Sequence, residues 1–442
     1  MMPHKNCPIA FEKVSQVFKL LMFLVLVCHQ SMAQTNLLAS LYEKHDQPIL
    51  SLEPTTFQTD SSPNSPSSVP HYINYRGSLQ NAQTVFTSTK HGKVAFLGGS
   101  ISEMKGWHNA VIDDFKQRFP TTTFDFIEAG IGSTGTTPGA FRMEKDVLSK
   151  GKIDLLFVEA AVNDHTNGFD SLSQIRGMEG EVRHALLANP ATDIIMLHFI
   201  YDPFISIFNA GNTPDVILNH EKVATHYHLP SINLAKEIAE RMKAGEFDWK
   251  TFGGTHPLPF GHHLYYTAIK QLFDSSWSNT NPAKSLSPHI IPKQPLDAYS
   301  YFNGNLIDPS KPTYDTAWKL EPNWKPKEAG TVREKFKNST ILEATHAGAS
   351  LQFQFKGTAV GLYLLAGPNA GIIEYSIDGK TYPPIDLFTQ WSSRIYLPWV
   401  TMLATELTNT KHTLTLKMAE NQNPKSKGKA CDIYYFAVNG KE

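Results

Sequence analysis

The stretch that decides the fold is VAFLGGSIS, residues 94–102. Four consecutive apolar residues stop at Gly98-Gly99, and a hydroxyl follows at once on Ser100. An apolar run this short, closed by turn residues, reads as a strand buried on both faces. Outward from it the pattern repeats. Trp107, Val111, Phe115 and Phe119 have helical spacing, and 124–127 is a second short strand. Residues 140–148 read as a helix closed by Gly151, 153–158 as a strand, 178–187 as a helix and 194–199 as a strand. Helices containing 223–227 and 234–242 follow, then a long one over 260–273. Buried strands alternating with amphipathic helices imply an α/β fold with a parallel sheet covered on both faces. Ligands of such sheets bind beyond the carboxyl ends of the strands, so the loops after strands are where chemistry is expected.

The flanks differ in character. Residues 1–33 carry Lys5, Lys13 and Lys19, then the apolar run 20–28 and Ser31-Met32-Ala33, the pattern of a secretory signal cleaved after Ala33. The run is too short to span a bilayer as a helix. Cys28 raises a lipid anchor, but Val27 stands before it where a small residue is expected. Residues 34–90 are expected to form an arm and linker, because 51–70, SLEPTTFQTDSSPNSPSSVP, is dominated by Ser, Pro and Thr. The α/β domain is expected over 91–280 and a second linker over 281–295. From 296 to 442 the period drops to two: Leu351, Phe353 and Phe355 alternate with glutamines, and Leu414, Leu416 and Met418 with polar residues. Asp378-Gly379 is placed as a hairpin turn, and the region reads as a β-sandwich.

Composition removes several functions. The 442 residues hold 40 basic and 41 acidic side chains, a formal charge of −1 that argues against binding nucleic acid through its phosphates. Cys7, Cys28 and Cys431 cannot make a disulfide framework or a Cys-rich zinc site. His220, His226 and His228 suggest metal, but six residues of helix turn by about 600°, which separates His220 from His226. No metal site is expected. Arg142, Glu144, Lys145 and Asp146 read as a solvated helix face, and Trp391 and Trp399 as core residues before sugar platforms.

Four loops carry the chemistry. Ser100 after the first strand is presented as a nucleophile at a helix start, where the flanking glycines let other backbone approach. Glu128 to Gly135, EAGIGSTG, follows the second strand and can aim backbone N–H groups at an oxyanion from Gly132 or Ser133. Asn163, in Val162-Asn163-Asp164 after the third strand, can donate from its side chain. His256 precedes Pro257 at the entry to the last helix, a position suited to a general base. Each alone has a bland reading as a cap, a turn or a structural histidine.

Taken together, Ser, Gly-rich loop, Asn and His-Pro in this order over 91–276 resemble the SGNH hydrolases, also called the GDSL esterases. The GGSI form of the first block resembles the branch holding many carbohydrate acetylesterases, and 296–442 is similar to the β-sandwich appended to some secreted bacterial members. The resemblance implies a flavodoxin-like α/β/α sheet and a serine esterase without cofactor, acting on acetylated polysaccharide or oligosaccharide. Ser100 is then the nucleophile and His256 the base. The oxyanion donors are Ser100, Gly132 or Ser133, and Asn163. Three departures matter. Ser133 stands where many members have glycine, Ala161 replaces the glycine before Val162-Asn163, and Gly253 stands three residues before His256, where the family has an aspartate. Losing the acid of a Ser-His-Asp triad costs roughly 10⁴ in rate. Either His256 works in a dyad oriented by backbone, or Asp248, Asp164 or Glu159 substitutes for the acid, or the enzyme is weak. A lipid or thioester acylhydrolase of the same fold and a non-catalytic carbohydrate-binding protein stay open as alternatives.

Overall fold

The computed structural model describes residues 71–278 and 283–440. The signal segment expected over 1–33 and most of the arm expected over 34–90 lie outside the described residues. No described helix is long and apolar enough to cross a membrane.

The first sheet has six strands: β1 (Ile73–Asn74), β2 (His91–Gly98), β3 (Thr123–Gly130), β4 (Leu155–Val158), β5 (Asp193–Leu197) and β6 (Ser231–Ile232). Their order is β1-β6-β5-β4-β2-β3, and every pair is parallel except the antiparallel edge pair β1–β6. The five parallel strands thus follow the doubly wound order 2-1-3-4-5, whose switch point lies between β2 and β4. Apolar residues split between the two faces as the period of two requires. Val94, Phe96, Leu155, Phe157, Ile195 and Leu197 point into one core, against helices Gln80–Ser88, Trp107–Arg118, Leu234–Lys243 and Pro259–Ser276. Ala95, Leu97, Leu156, Val158, Ile194 and Met196 point into the other, against helices Thr136–Asp146, Ser171–Ala188 and Asp215–His226. Continuous apolar runs therefore arise from burial on both sides, as read from the sequence.

Two parts begin earlier or pack more closely than composition suggested. The sheet's edge strand β1 and helix Gln80–Ser88 precede residue 91, and Phe86 of that helix is fully buried among Phe115, Phe119 and Phe124. The helix is short and mostly polar in sequence, QNAQTVFTS, with Ala82, Val85 and Phe86 as its only apolar residues. The connection after residue 282 lies against the α/β domain, with Ser287 N–H donating to Asn81 and His289 bonded to Asp193 at 2.8 Å.

The C-terminal region is a sandwich of two sheets, one of seven strands and one of five. Strand Ser350–Gly357 alternates as expected, with Leu351, Phe353 and Phe355 inward against Leu414, Leu416 and Met418 of strand Thr410–Met418. Asp378 and Gly379 take positive φ of 51° and 82°, as a two-residue hairpin with this right-handed twist demands. Strand Ala359–Ala366 departs from the alternation and is buried throughout. Its outer face, Tyr363 and Leu365, packs with Ile131, Ala140 and Phe141 of the α/β domain, and Phe141 sits 5.0 Å from the ring of Tyr301. The two domains share one apolar core there. Because Phe141 is fully buried in it, Phe141→Ala is expected to destabilise the chain by about 3–5 kcal/mol in denaturant unfolding, and a loss below about 1 kcal/mol would contradict this packing.

Candidate active site

The site forms at the switch point, around the Gly98-Gly99 turn. A side chain at either glycine would displace a neighbouring side chain that fills the space a Cβ would need. A Cβ on Gly98 would lie 2.1 Å from Glu159 Oε1, and one on Gly99 would lie 1.9 Å from the Asn163 amide oxygen. Both residues follow β4, the strand hydrogen-bonded beside β2: Glu159 directly, and Asn163 in the short helix Ala161–Thr166. The Glu159 carboxylate, itself buried, accepts Gly99 N–H and the Ser102 hydroxyl, both at 2.7 Å. It thereby ties down both sides of Ser100. Burial pushes its carboxyl up to about 7, against the opposing pull of those two hydrogen bonds and of Arg142.

Ser100 begins the short helix Ser100–Glu103 and remains partly exposed. Its Oγ lies 2.8 Å from His256 Nε2, across 156 residues of chain. His256 arrives on a stiff connection. Helix Trp249–Phe252 ends at left-handed Gly253, whose N–H bonds to Trp249 O at 3.1 Å. Leu258 N–H then bonds back to Phe252 O at 3.0 Å, and Pro259 opens the last helix. Beside it His262 is buried and accepts the Trp107 N–H at Nδ1, so its proton resides on Nε2. Burial, helped by His108 and His256, lowers its pKa to about 4 and keeps the ring neutral.

Each of the three carboxylates considered as substitute acids holds another group. Glu159 holds the turn around Ser100, as above. Asp164 is fully buried and accepts Thr136 N–H at 2.8 Å, the Thr136 hydroxyl at 2.7 Å and His220 Nε2 at 3.0 Å. Asp248 caps the helix Trp249–Phe252 by accepting Thr251 N–H at 2.7 Å. The position where an aspartate was expected is closed to one. Gly253 has φ of 106°, and a Cβ there would lie 2.1 Å from Leu258 N.

The Gly-rich loop also differs in detail from the expectation. Gly132 N–H is spent on Glu103 Oε2 at 2.8 Å, so it does not face an incoming carbonyl. The next residue, Ser133, takes a left-handed φ of 66°. Its carbonyl accepts Asn167 Nδ2 at 3.0 Å and its hydroxyl accepts Arg333 Nη2 at 2.9 Å. Of the two loop residues, Ser133 is the one whose N–H enters no hydrogen bond among the described residues.

Arg142 was read as part of a solvated face, yet it is buried and reaches the carbonyls of Ala129 and Gly98, the last turns of β3 and β2. Nothing in its helical period marked it, because its partners are backbone atoms brought near by the sheet. Glu103 was legible in principle, one turn after Ser100 on the same helix. Arg333 and Lys335, some 200 residues away, were not; they bond to Ser133 and to Gly130 O. The three histidines weighed for metal go to separate places: His220 to Asp164, His226 to Gln294 O, and His228 to an exposed left-handed turn. Trp391 is exposed, on a loop whose Gln390 donates to Thr166 O at 2.8 Å, and Trp399 is half-buried against Phe169.

No protein-family model matches the chain, and no curated protein matches it in sequence. Among solved structures it is similar to a two-domain esterase, CEX, active on acetylated mannans and co-crystallised with mannopentaose. The identity is 21%, the TM-score 0.66, and the match covers 84% of this chain and 97% of that one. A second structure of an esterase so described matches with the same identity and score, covering 98% of its length. The chain has that two-domain fold.

Two outcomes test the geometry. Gly253→Asp, which writes in the missing carboxylate, is expected to lower stability by about 1–3 kcal/mol in thermal or denaturant unfolding, through left-handed strain and the clash with Leu258 N. A variant as stable as the parent would refute the closed pocket. For Glu159 the folded carboxyl titrates at about 7 against an ordinary 4.5. The folded state therefore binds the proton more tightly, and its contribution is full below about pH 4.5 and lost as pH rises through 7. Glu159→Gln is expected to flatten that fall by on the order of 1–3 kcal/mol in unfolding curves taken from pH 5 to 8, and an unchanged slope would remove the assignment.

Proposed function

We propose that the protein is an exported serine esterase that removes O-acetyl groups from carbohydrate. The observation that carries this reading is the 2.8 Å hydrogen bond between Ser100 Oγ and His256 Nε2, set at the carboxyl end of a doubly wound sheet beside Asn163. A hydroxyl at its ordinary pKa is a weak nucleophile, and an imidazole within hydrogen-bond reach can take its proton as attack proceeds.

In this reading Ser100 Oγ attacks the acetyl carbonyl while His256 Nε2 accepts the hydroxyl proton. The tetrahedral oxyanion receives hydrogen bonds from Ser100 N–H, Ser133 N–H and the Asn163 side-chain amide. Gly132 drops out of the donor set, since its N–H is held by Glu103. Collapse expels the sugar hydroxylate, which takes the proton back from His256. Water, deprotonated by the same imidazole, then attacks the acetyl-serine and releases acetate. The chain's own groups supply every proton transfer, and no cofactor enters the scheme. Acetylated mannan is the substrate class to try first, given the activity of the similarly folded two-domain esterase. Export rests on the signal pattern of residues 1–33.

The test is acetate release from acetylated mannan, xylan and other acetylated plant and algal glycans. The parent chain is expected to release acetate, and Ser100→Ala or His256→Ala to lower kcat by about 10³-fold or more with the fold intact. Release that persists in either variant ends the assignment. Turnover confined to long-chain acyl esters transfers the reading to a lipid acylhydrolase, and glycan binding without turnover transfers it to a binding protein.

A further inference from the structure

We propose that the β-sandwich sets the oxyanion loop of the α/β domain through Arg333, a positioning residue that acts on Glu103 and Ser133; the inference rests on the esterase reading above.

Arg333 follows the short strand Thr331–Val332, which runs parallel to the start of strand Ile395–Ala404 at the edge of the seven-stranded sheet. Its side chain is largely buried and crosses to the other domain, where Nη1 lies 3.2 Å from Glu103 Oε2 and Nη2 donates to Ser133 Oγ at 2.9 Å. Glu103 Oε2 is also the acceptor of Gly132 N–H. One guanidinium thus grips both the carboxylate that holds Gly132 and the hydroxyl of the next residue. The guanidinium packs closely on the loop: a Cβ on Gly132 would lie 2.4 Å from Nη1, so a side chain there would displace the Arg333 fork. Two residues along the same segment, Lys335 Nζ donates to Gly130 O at 2.6 Å. The sandwich therefore holds the loop at 130, 132 and 133.

Two physical consequences reach the reaction. First, a left-handed serine is sparsely populated, and it persists where its surroundings over-determine it. With its carbonyl bonded to Asn167 and its hydroxyl to Arg333, Ser133 has its N–H left for the oxyanion. Second, Glu103 places a carboxylate at a loop that must stabilise developing negative charge. Arg333 supplies the opposite charge at that carboxylate, and without it Glu103 would repel the oxyanion in a site of low effective dielectric. The same fork that aims the donor cancels the wrong charge. A lysine has the charge but not the planar fork.

The experiment measures kcat and KM for acetate release from an aryl acetate and from acetylated mannan, with thermal unfolding of each variant. Arg333→Ala is expected to lower kcat about 30-fold with KM within about threefold, the pattern of an interaction realised in the transition state. Arg333→Lys is expected to lose about 3- to 10-fold. Adding Glu103→Gln to Arg333→Ala is expected to restore several-fold of the lost kcat by removing the uncancelled charge, a recovery that a general loss of packing would not give. Glu334→Gln, on the same segment but pointing to solvent, is the control expected to match the parent. Arg333→Ala with kcat within threefold of the parent overturns the inference, as does a loss that tracks unfolded protein or that Glu103→Gln leaves unrelieved. A parent chain that hydrolyses neither substrate overturns the esterase reading itself, and this inference with it.

Discussion

Glu159 is the residue on which the site depends. Its carboxylate is buried at the end of β4 and bridges Gly99 N–H and the Ser102 hydroxyl, on either side of Ser100. A buried carboxylate is costly unless its lone pairs are taken up, and here donors from the turn around Ser100 take them up. Glycine at 98 and 99 leaves the room that the Glu159 and Asn163 side chains occupy. The Gly-Gly-Ser sequence is thus the imprint of two side chains from the neighbouring strand. Arg142 completes the arrangement from below, bonding the last carbonyls of β2 and β3.

The two domains form one mechanical unit. An apolar cluster joins Ile131, Ala140 and Phe141 to the outer face of the sandwich, and a polar layer of Arg333 and Lys335 reaches beyond it to the loop at 130–133. Gln390 adds a contact to the end of the helix that carries Asn163. The contacts fall on the loops that follow β3 and β4, so the sandwich borders the proposed oxyanion side of the site. An appended domain with a tether alone would leave helix Thr136–Asp146 with an exposed apolar face. The burial of Phe141 at that face explains why strand Ala359–Ala366 is apolar at every position instead of alternating.

What was readable in the chain and what was not divide along physical lines. Strands β2, β4 and β5 were visible because burial on both faces writes four or five apolar residues in a row. Helices Trp107–Arg118 and Pro259–Ser276 were visible by their spacing. Helix Gln80–Ser88 was not, since it is short and buries polar residues, Asn81, Gln83 and Thr84, beside Ala82 and Phe86. Ser100, Asn163 and His256 stood out because each follows a strand or opens a helix at the carboxyl end of the sheet. Gly132 was read as a donor on its position alone, and only the Glu103 carboxylate, one helical turn past Ser100, reveals where its N–H goes.

The sequence by itself determined the doubly wound sheet, the β-sandwich and the residues that gather at the switch point, because burial and turn geometry are local demands that leave periodic marks. Tertiary structure alone decided which groups face one another there. Gly253 excludes the expected aspartate through a backbone atom five residues on, Glu159 braces the turn around Ser100, and Arg333 enters from 200 residues away. Such pairings leave no period in the chain, since a hydrogen bond between distant segments constrains two side chains and nothing between them.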